Sequence, residues 1–264
     1  MTKSGGVGAS VASMLSKAPP AILAFWLVKI CATTAGETGG DALSMSLNLG
    51  YATASLIFLG FFVVALLWQL STDRYRPLAY WTMVVATTTI GTTTSDFLDR
   101  TAHFGYVWSS AFWLALVIVI LIAWRVVCGR IQADKIMERR DEVFYWLAIV
   151  SANTLGTALG DFAADDTGLN LGFVMGAGLF SGLLVLVGLM WRLKAVPTAV
   201  LFWAAYVLTR PLGATLGDTL TKPLAAGGFN LDRLAATGVI LVVMALIVAA
   251  SPKLRLSPTS ATEA

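Results

Sequence analysis

Five carboxylates, Glu37, Asp41, Asp96, Asp161 and Asp218, and two cations, Lys29 and Arg210, interrupt a 264-residue chain that otherwise reads as oily. Charge in hydrocarbon is expensive, so ionisable groups inside apolar segments are functional candidates by default. Carboxylates flanked by threonine hydroxyls and freed backbone carbonyls make a hard-oxygen environment. Such ligands suit Ca²⁺, Mg²⁺ or Mn²⁺, or rows of monovalent cations. The candidate ion ligands are therefore Glu37, Asp41, Asp96, Asp161 and Asp218, with the hydroxyls of Thr33, Thr34 and Thr89. Lys29 and Arg210 should face the interior of a helix bundle and compensate those acids, with Glu37 and the aspartates as partners. The plain alternative is that each aspartate caps a turn beyond a helix-ending glycine.

The segments that carry these residues are membrane-like. Residues are 57% hydrophobic and 12% charged, and the mean hydropathy is +0.78. A soluble domain carries about 25% charged residues, so composition alone points to the bilayer. The net charge of +3 comes without a basic, aromatic-interleaved stripe, which excludes a nucleic-acid partner. Cys31 and Cys128 sit in separate apolar segments, and His103 has no His or Cys at zinc-site spacing. Eight apolar stretches, near 20–35, 47–70, 78–95, 106–127, 143–160, 170–191, 197–216 and 232–250, are of spanning length. Thirteen of the eighteen Lys and Arg fall on one side, which predicts that both termini and the 125–142 connection are cytoplasmic.

A fourfold repeat organises the chain. "WLVKICATTAGETGGD" (26–41), "WTMVVATTTIGTTTSD" (81–96), "WLAIVSANTLGTALGD" (146–161) and "WAAYVLTRPLGATLGD" (203–218) align without a gap. Each has Gly ten residues after Trp and Asp five residues after that Gly. With two spans per unit, all four units enter the membrane in the same sense. The predicted fold is thus an all-α membrane protein: eight transmembrane helices from four parallel two-helix repeats, pseudo-symmetric about the membrane normal. The repeats are expected at 20–70, 78–127, 143–191 and 197–250, in a single transmembrane domain over 1–264. The glycine should let each motif helix loosen short of the far interface, leaving the aspartates in a shared, water-filled dip. The four tryptophans are belt or packing residues.

Tandem two-span units, each with a tryptophan and a T-T-x-G-E-x-x-x-D-like motif, resemble a bacterial integral-membrane family built from four such repeats and without an assigned function. That resemblance covers nearly the whole chain and implies architecture and a bacterial inner membrane, not an activity. Only the first repeat carries the glutamate; Thr92, Thr157 and Ala214 replace Glu37 in the others. More loosely, "GETGGD", "ALGD" and "TLGD" are similar to the E-x-G-D motifs of a family of manganese and calcium transporters, with different spacing and a single Glu.

Three readings of function follow. The first is a transporter of a small cation, divalent or monovalent and open to proton coupling, in which Lys29 or Arg210 competes for the acids when the ion is absent. The second is a non-transporting scaffold or sensor with structural ion pairs. The third is anion or small-metabolite transport through Lys29, Arg210, Arg100 and Lys222. No enzyme is expected, since no G-x-S-x-G, H-E-x-x-H, Cys–His pairing or phosphate loop is present. No cofactor is required beyond a divalent cation as cargo. "GFVMGAGLFSG", 172–182, has two G-x-x-x-G spacings that allow close helix contact, within one chain or between two copies in a homo-oligomer.

Overall fold

A computed structural model of the chain describes residues 17–129, 131 and 138–255. Lys3, Arg130 and Lys135, counted in the charge asymmetry, lie outside the described residues, as does most of the interior of the 125–142 connection. Eight long helices and no strand occur among the described residues: α1 (Leu23–Asp41), α2 (Gly50–Ser71), α3 (Pro77–Asp96), α4 (Tyr106–Cys128), α5 (Arg139–Ala164), α6 (Gly172–Arg192), α7 (Thr198–Thr221) and α8 (Arg233–Ala250). Local signals set several ends. Pro77 opens α3, where its missing N–H costs nothing, and the Asp232 carboxylate caps α8 by accepting from the Ala235 N–H at 2.8 Å. Asn48, His103, Asn170 and Asn230 take the left-handed conformation (φ 52–55°) in equivalent loops of the four repeats, so His103 is a turn residue.

The two helices of each repeat differ in what surrounds them. The first helices, α1, α3, α5 and α7, form a closed ring in which each touches the next. The second helix of each repeat packs on the first helix of the following repeat: α2 on α3, α4 on α5, α6 on α7, and α8 back on α1. No repeat can bury its own inner helix, so the ring needs all four. The inner helices are accordingly buried. Fifteen of the twenty residues of α3 are inaccessible, against Met244 alone in α8.

Six helices, α2 and α4 to α8, are long and apolar enough to cross a membrane. α1 and α3 fall outside that set because Lys29 and Glu37 in α1, and runs of Thr in α3, lower their hydropathy. The neighbouring helices cover them, so they need not present an oily surface.

The glycines behave differently from expectation. α1 runs unbroken through Gly36 to Asp41, and the backbone widens into a single π-turn only afterwards, at Ala42–Ser46 and again at Phe97–Thr101 in the second repeat. The glycines serve close packing instead. A Cβ on Gly36 would lie 2.5 Å from Thr88 Cβ; on Gly156, 2.5 Å from Arg210 Cβ; on Gly213, 2.5 Å from Thr33 Cβ; on Gly91, 3.1 Å from Asn153 Cβ. Each repeat's glycine thus receives the same position of the next repeat. The "GFVMGAGLFSG" segment contributes less: Gly176 meets Thr215, while Gly172, Gly178 and Gly182 have nothing within 4 Å. Gly36→Ala should therefore cost about 1–3 kcal/mol in thermal unfolding, because two backbones must part. Gly178→Ala should be neutral or slightly stabilising. Equal effects at the two positions would overturn this account of the ring.

Candidate functional site

The inner helices present one stripe each toward the ring axis, stepping by four residues, which keeps a helix face roughly constant at about 6 Å of rise per step. The stripes read Lys29, Thr33, Glu37, Asp41 on α1; Val84, Thr88, Thr92, Asp96 on α3; Ile149, Asn153, Thr157, Asp161 on α5; and Tyr206, Arg210, Ala214, Asp218 on α7. All sixteen residues are buried, none more than 2% exposed. Stacked across the ring they make four levels, from Lys29 to the aspartates. A fifth position, four residues further on, supplies Arg100 and Lys222.

At the aspartate level the five predicted acids come together. One carboxylate oxygen from each of Glu37, Asp41 and Asp96 lies within 4.8 Å of the others, and the same holds for Glu37, Asp161 and Asp218. Glu37 therefore sits between two aspartate pairs. Two cations bridge the aspartates in the other two neighbouring pairs around the ring. Arg100 reaches Asp96 (3.1 Å) and Asp161 (3.4 Å), and Lys222 reaches Asp41 (2.8 Å) and Asp218 (3.2 Å). Arg233 adds a longer contact to Asp41 at 3.7 Å. Burial works against the Lys222 charge, but Asp218 and Asp41 outweigh it and hold the ammonium well above its ordinary range.

Glu37 is held from below. Arg210 Nη2 donates to Glu37 Oε2 at 2.9 Å, to Thr157 Oγ1 at 2.6 Å and to Thr92 Oγ1. One guanidinium thus contacts all three polar members of the glutamate level. Among the described residues, five carboxylates face four cations within 4 Å, a formal excess of one negative charge. Asp218 Oδ1, although near Lys222, has no aligned hydrogen bond.

Arg210 compensates an acid as expected, but Lys29 does not. Among the described residues its ammonium meets no carboxylate. It donates to Asn153 Oδ1 at 3.4 Å and lies 4.3 Å over the Tyr206 ring. The physical reason is spacing: Glu37 lies two turns further along the same helix, about 12 Å away in rise. The threonine hydroxyls proposed as ligands are also engaged elsewhere. Thr33 donates to the carbonyls of Ile30 and Thr209, Thr34 to Ile30, and Thr89 to Val85. The aspartates make no side-chain cap at the turns that follow Asp41 and Asp96, and they are buried rather than set in a wet dip.

Residue type alone does not single out Thr92, Thr157 or Arg233. The four-residue step of the stripes is the signal that finds the two threonines. Arg233 opens α8 and reaches Asp41 only through the packing of α8 on α1. Beyond the Lys29 level the axis is closed by aromatic rings. Phe25, Tyr80, Trp81, Tyr145 and Trp146 are all buried there, and the Tyr80 and Tyr145 hydroxyls are 2.8 Å apart. Trp81 and Trp146 are therefore packing residues.

A family model described as Repeat of Unknown Function (DUF347) matches the chain four times in tandem, at residues 24–75, 79–128, 144–195 and 201–253. No curated protein and no solved structure matches it.

Proposed function

Since the chain belongs to the DUF347 repeat family, whose description assigns no activity, we propose from the geometry of its axis that it is a membrane transporter of a small cation. The observation that carries this reading is the buried cluster of Glu37 and four aspartates on the axis of a closed four-helix ring, one negative charge in excess of its own cations. A proton or a monovalent ion balances that excess directly. A divalent ion fits once Lys222 or Arg100 withdraws. The built-in cations then act as tethered competitors that occupy the carboxylates when no ion is bound.

In this reading all eight helices span, the polar inner ring shielded by the outer four, and the repeats are related about the membrane normal. The end rich in Arg74, Arg76, Arg125, Arg139, Arg140, Arg192 and Lys194 faces the cytoplasm, together with both termini, in a bacterial inner membrane. Reporter fusions after Arg74 and Lys194 should then read cytoplasmic, and one near His103 external.

The test of the site is thermal unfolding of purified protein over Mn²⁺, Ca²⁺, Mg²⁺, Zn²⁺, Na⁺ and K⁺. A cation at about 100 times its dissociation constant should add about 2.7 kcal/mol. Asp41→Asn keeps the shape and loses the charge, so it should abolish the shift. No shift with any cation would leave a non-transporting scaffold, which the near-complete ion pairing would then explain.

A further inference from the structure

Below the acids the chemistry reverses, from acceptor-rich to donor-rich. The Arg210 guanidinium is fully buried, yet its Nε and Nη1 have no partner among the described residues; Nη2 alone makes the contacts to Glu37, Thr92 and Thr157. The Tyr206 hydroxyl, one turn earlier on α7, is buried and equally unpartnered. Lys29, on the neighbouring α1, uses one of its three N–H groups, in a long bond to Asn153. The Lys29 ammonium lies 4.3 Å over the ring of that tyrosine. Buried donors left unpaired each cost about 1–3 kcal/mol, and more when charged, so this concentration of them calls for an acceptor.

We propose that Lys29, Arg210 and Tyr206 form a second site, for a small monovalent anion of halide or nitrate size. Arg210 Nε and Nη1 supply the donors of a guanidinium edge, Lys29 supplies the second charge and Tyr206 a neutral O–H. An anion there would give Lys29 the counter-charge that it lacks among the described residues. The site also complements the acids above. The carboxylate cluster carries one formal negative charge in excess, and Lys29 is a positive charge without a carboxylate. A monovalent cation at the upper level and a monovalent anion at the lower one, bound together, leave the net charge of the axis unchanged. The anion site itself rests on the unpartnered donors and stands whether or not the carboxylates take a cation.

The experiment is thermal unfolding of the purified protein in N-methylglucamine salts at constant ionic strength, with chloride, bromide or nitrate replacing gluconate. That counter-ion replaces every metal cation at fixed pH, so a failure of the cation site does not affect the result. In the parent protein the small anions should raise the unfolding temperature by several degrees over gluconate. Lys29→Met should lose that shift. Tyr206→Phe, which removes one hydroxyl and keeps the ring, should weaken the chloride dissociation constant by about fivefold, and it serves as the test if Lys29→Met does not fold. Identical unfolding in all anions would overturn the proposal. So would a chloride shift that survives Lys29→Met unchanged, since the ion would then lie elsewhere, or one that Tyr206→Phe leaves untouched.

Discussion

Arg210→Met should be among the most destabilising single substitutions in this protein, by about 3–5 kcal/mol in thermal unfolding. The guanidinium is fully buried and is the one cation within ion-pair distance of Glu37 among the described residues. Its removal leaves a buried carboxylate beside four aspartates, with Thr92 as its remaining side-chain donor at 3.3 Å. Glu37→Gln alone should cost less, because Arg210 keeps Thr92 and Thr157. Arg210→Met combined with Glu37→Gln should recover part of the loss, with a coupling of about 1–3 kcal/mol. The corresponding cycle between Lys29→Met and Glu37→Gln should be additive, since those groups do not meet. Coupling in the second cycle and none in the first would reverse the assignment of partners.

The contrast between these two cations shows what the sequence can and cannot reveal. Both stand out as charges in oil, and their columns follow from the Trp–Gly–Asp spacing. That Arg210 meets an acid was legible in kind. That Lys29 does not was available too, because residues eight apart on one helix share a face but are separated by two full turns.

For Gly36 the sequence misleads for a different reason. A glycine in a helix signals either flexibility or close approach, and the choice depends on whether a neighbour arrives. Thr88 arrives because the second repeat's inner helix lies against the first. The "GETGG" spacing hinted at such contact, as "GTALG" and "GATLG" do in the third and fourth repeats. The ring order, with each outer helix serving the next repeat, has no local signature. α2 and α8 are similarly apolar, and nothing in either says which inner helix it covers. The burial of α1 and α3, too polar to face lipid, follows only once that order is known.

Lys222→Gln should weaken the protein and at the same time tighten its grip on a cation. The ammonium bridges Asp41 at 2.8 Å and Asp218 at 3.2 Å, both nearly inaccessible, so without it two buried carboxylates lose their main counter-charge. The ion-free variant should unfold about 3–5 kcal/mol more easily than the parent. Arg233, at 3.7 Å from Asp41 and on another helix, is too long a contact to replace it. If the acids bind a mobile cation, Lys222 is that ion's competitor. A unit charge removed at about 5 Å is worth about 3 kcal/mol at an effective dielectric of 20. Part of that is lost to relaxation, which leaves a gain of about ten- to a hundredfold in cation affinity. The variant should therefore be the less stable protein without ions and recover most of the deficit in saturating cation. Arg100→Gln should behave alike through Asp96 and Asp161. A structural ion pair predicts the first half of this result and not the second. If Lys222→Gln is destabilised equally with and without every cation tried, the bridge is a fixture of the fold, and the carboxylates of this ring hold helices together rather than an ion.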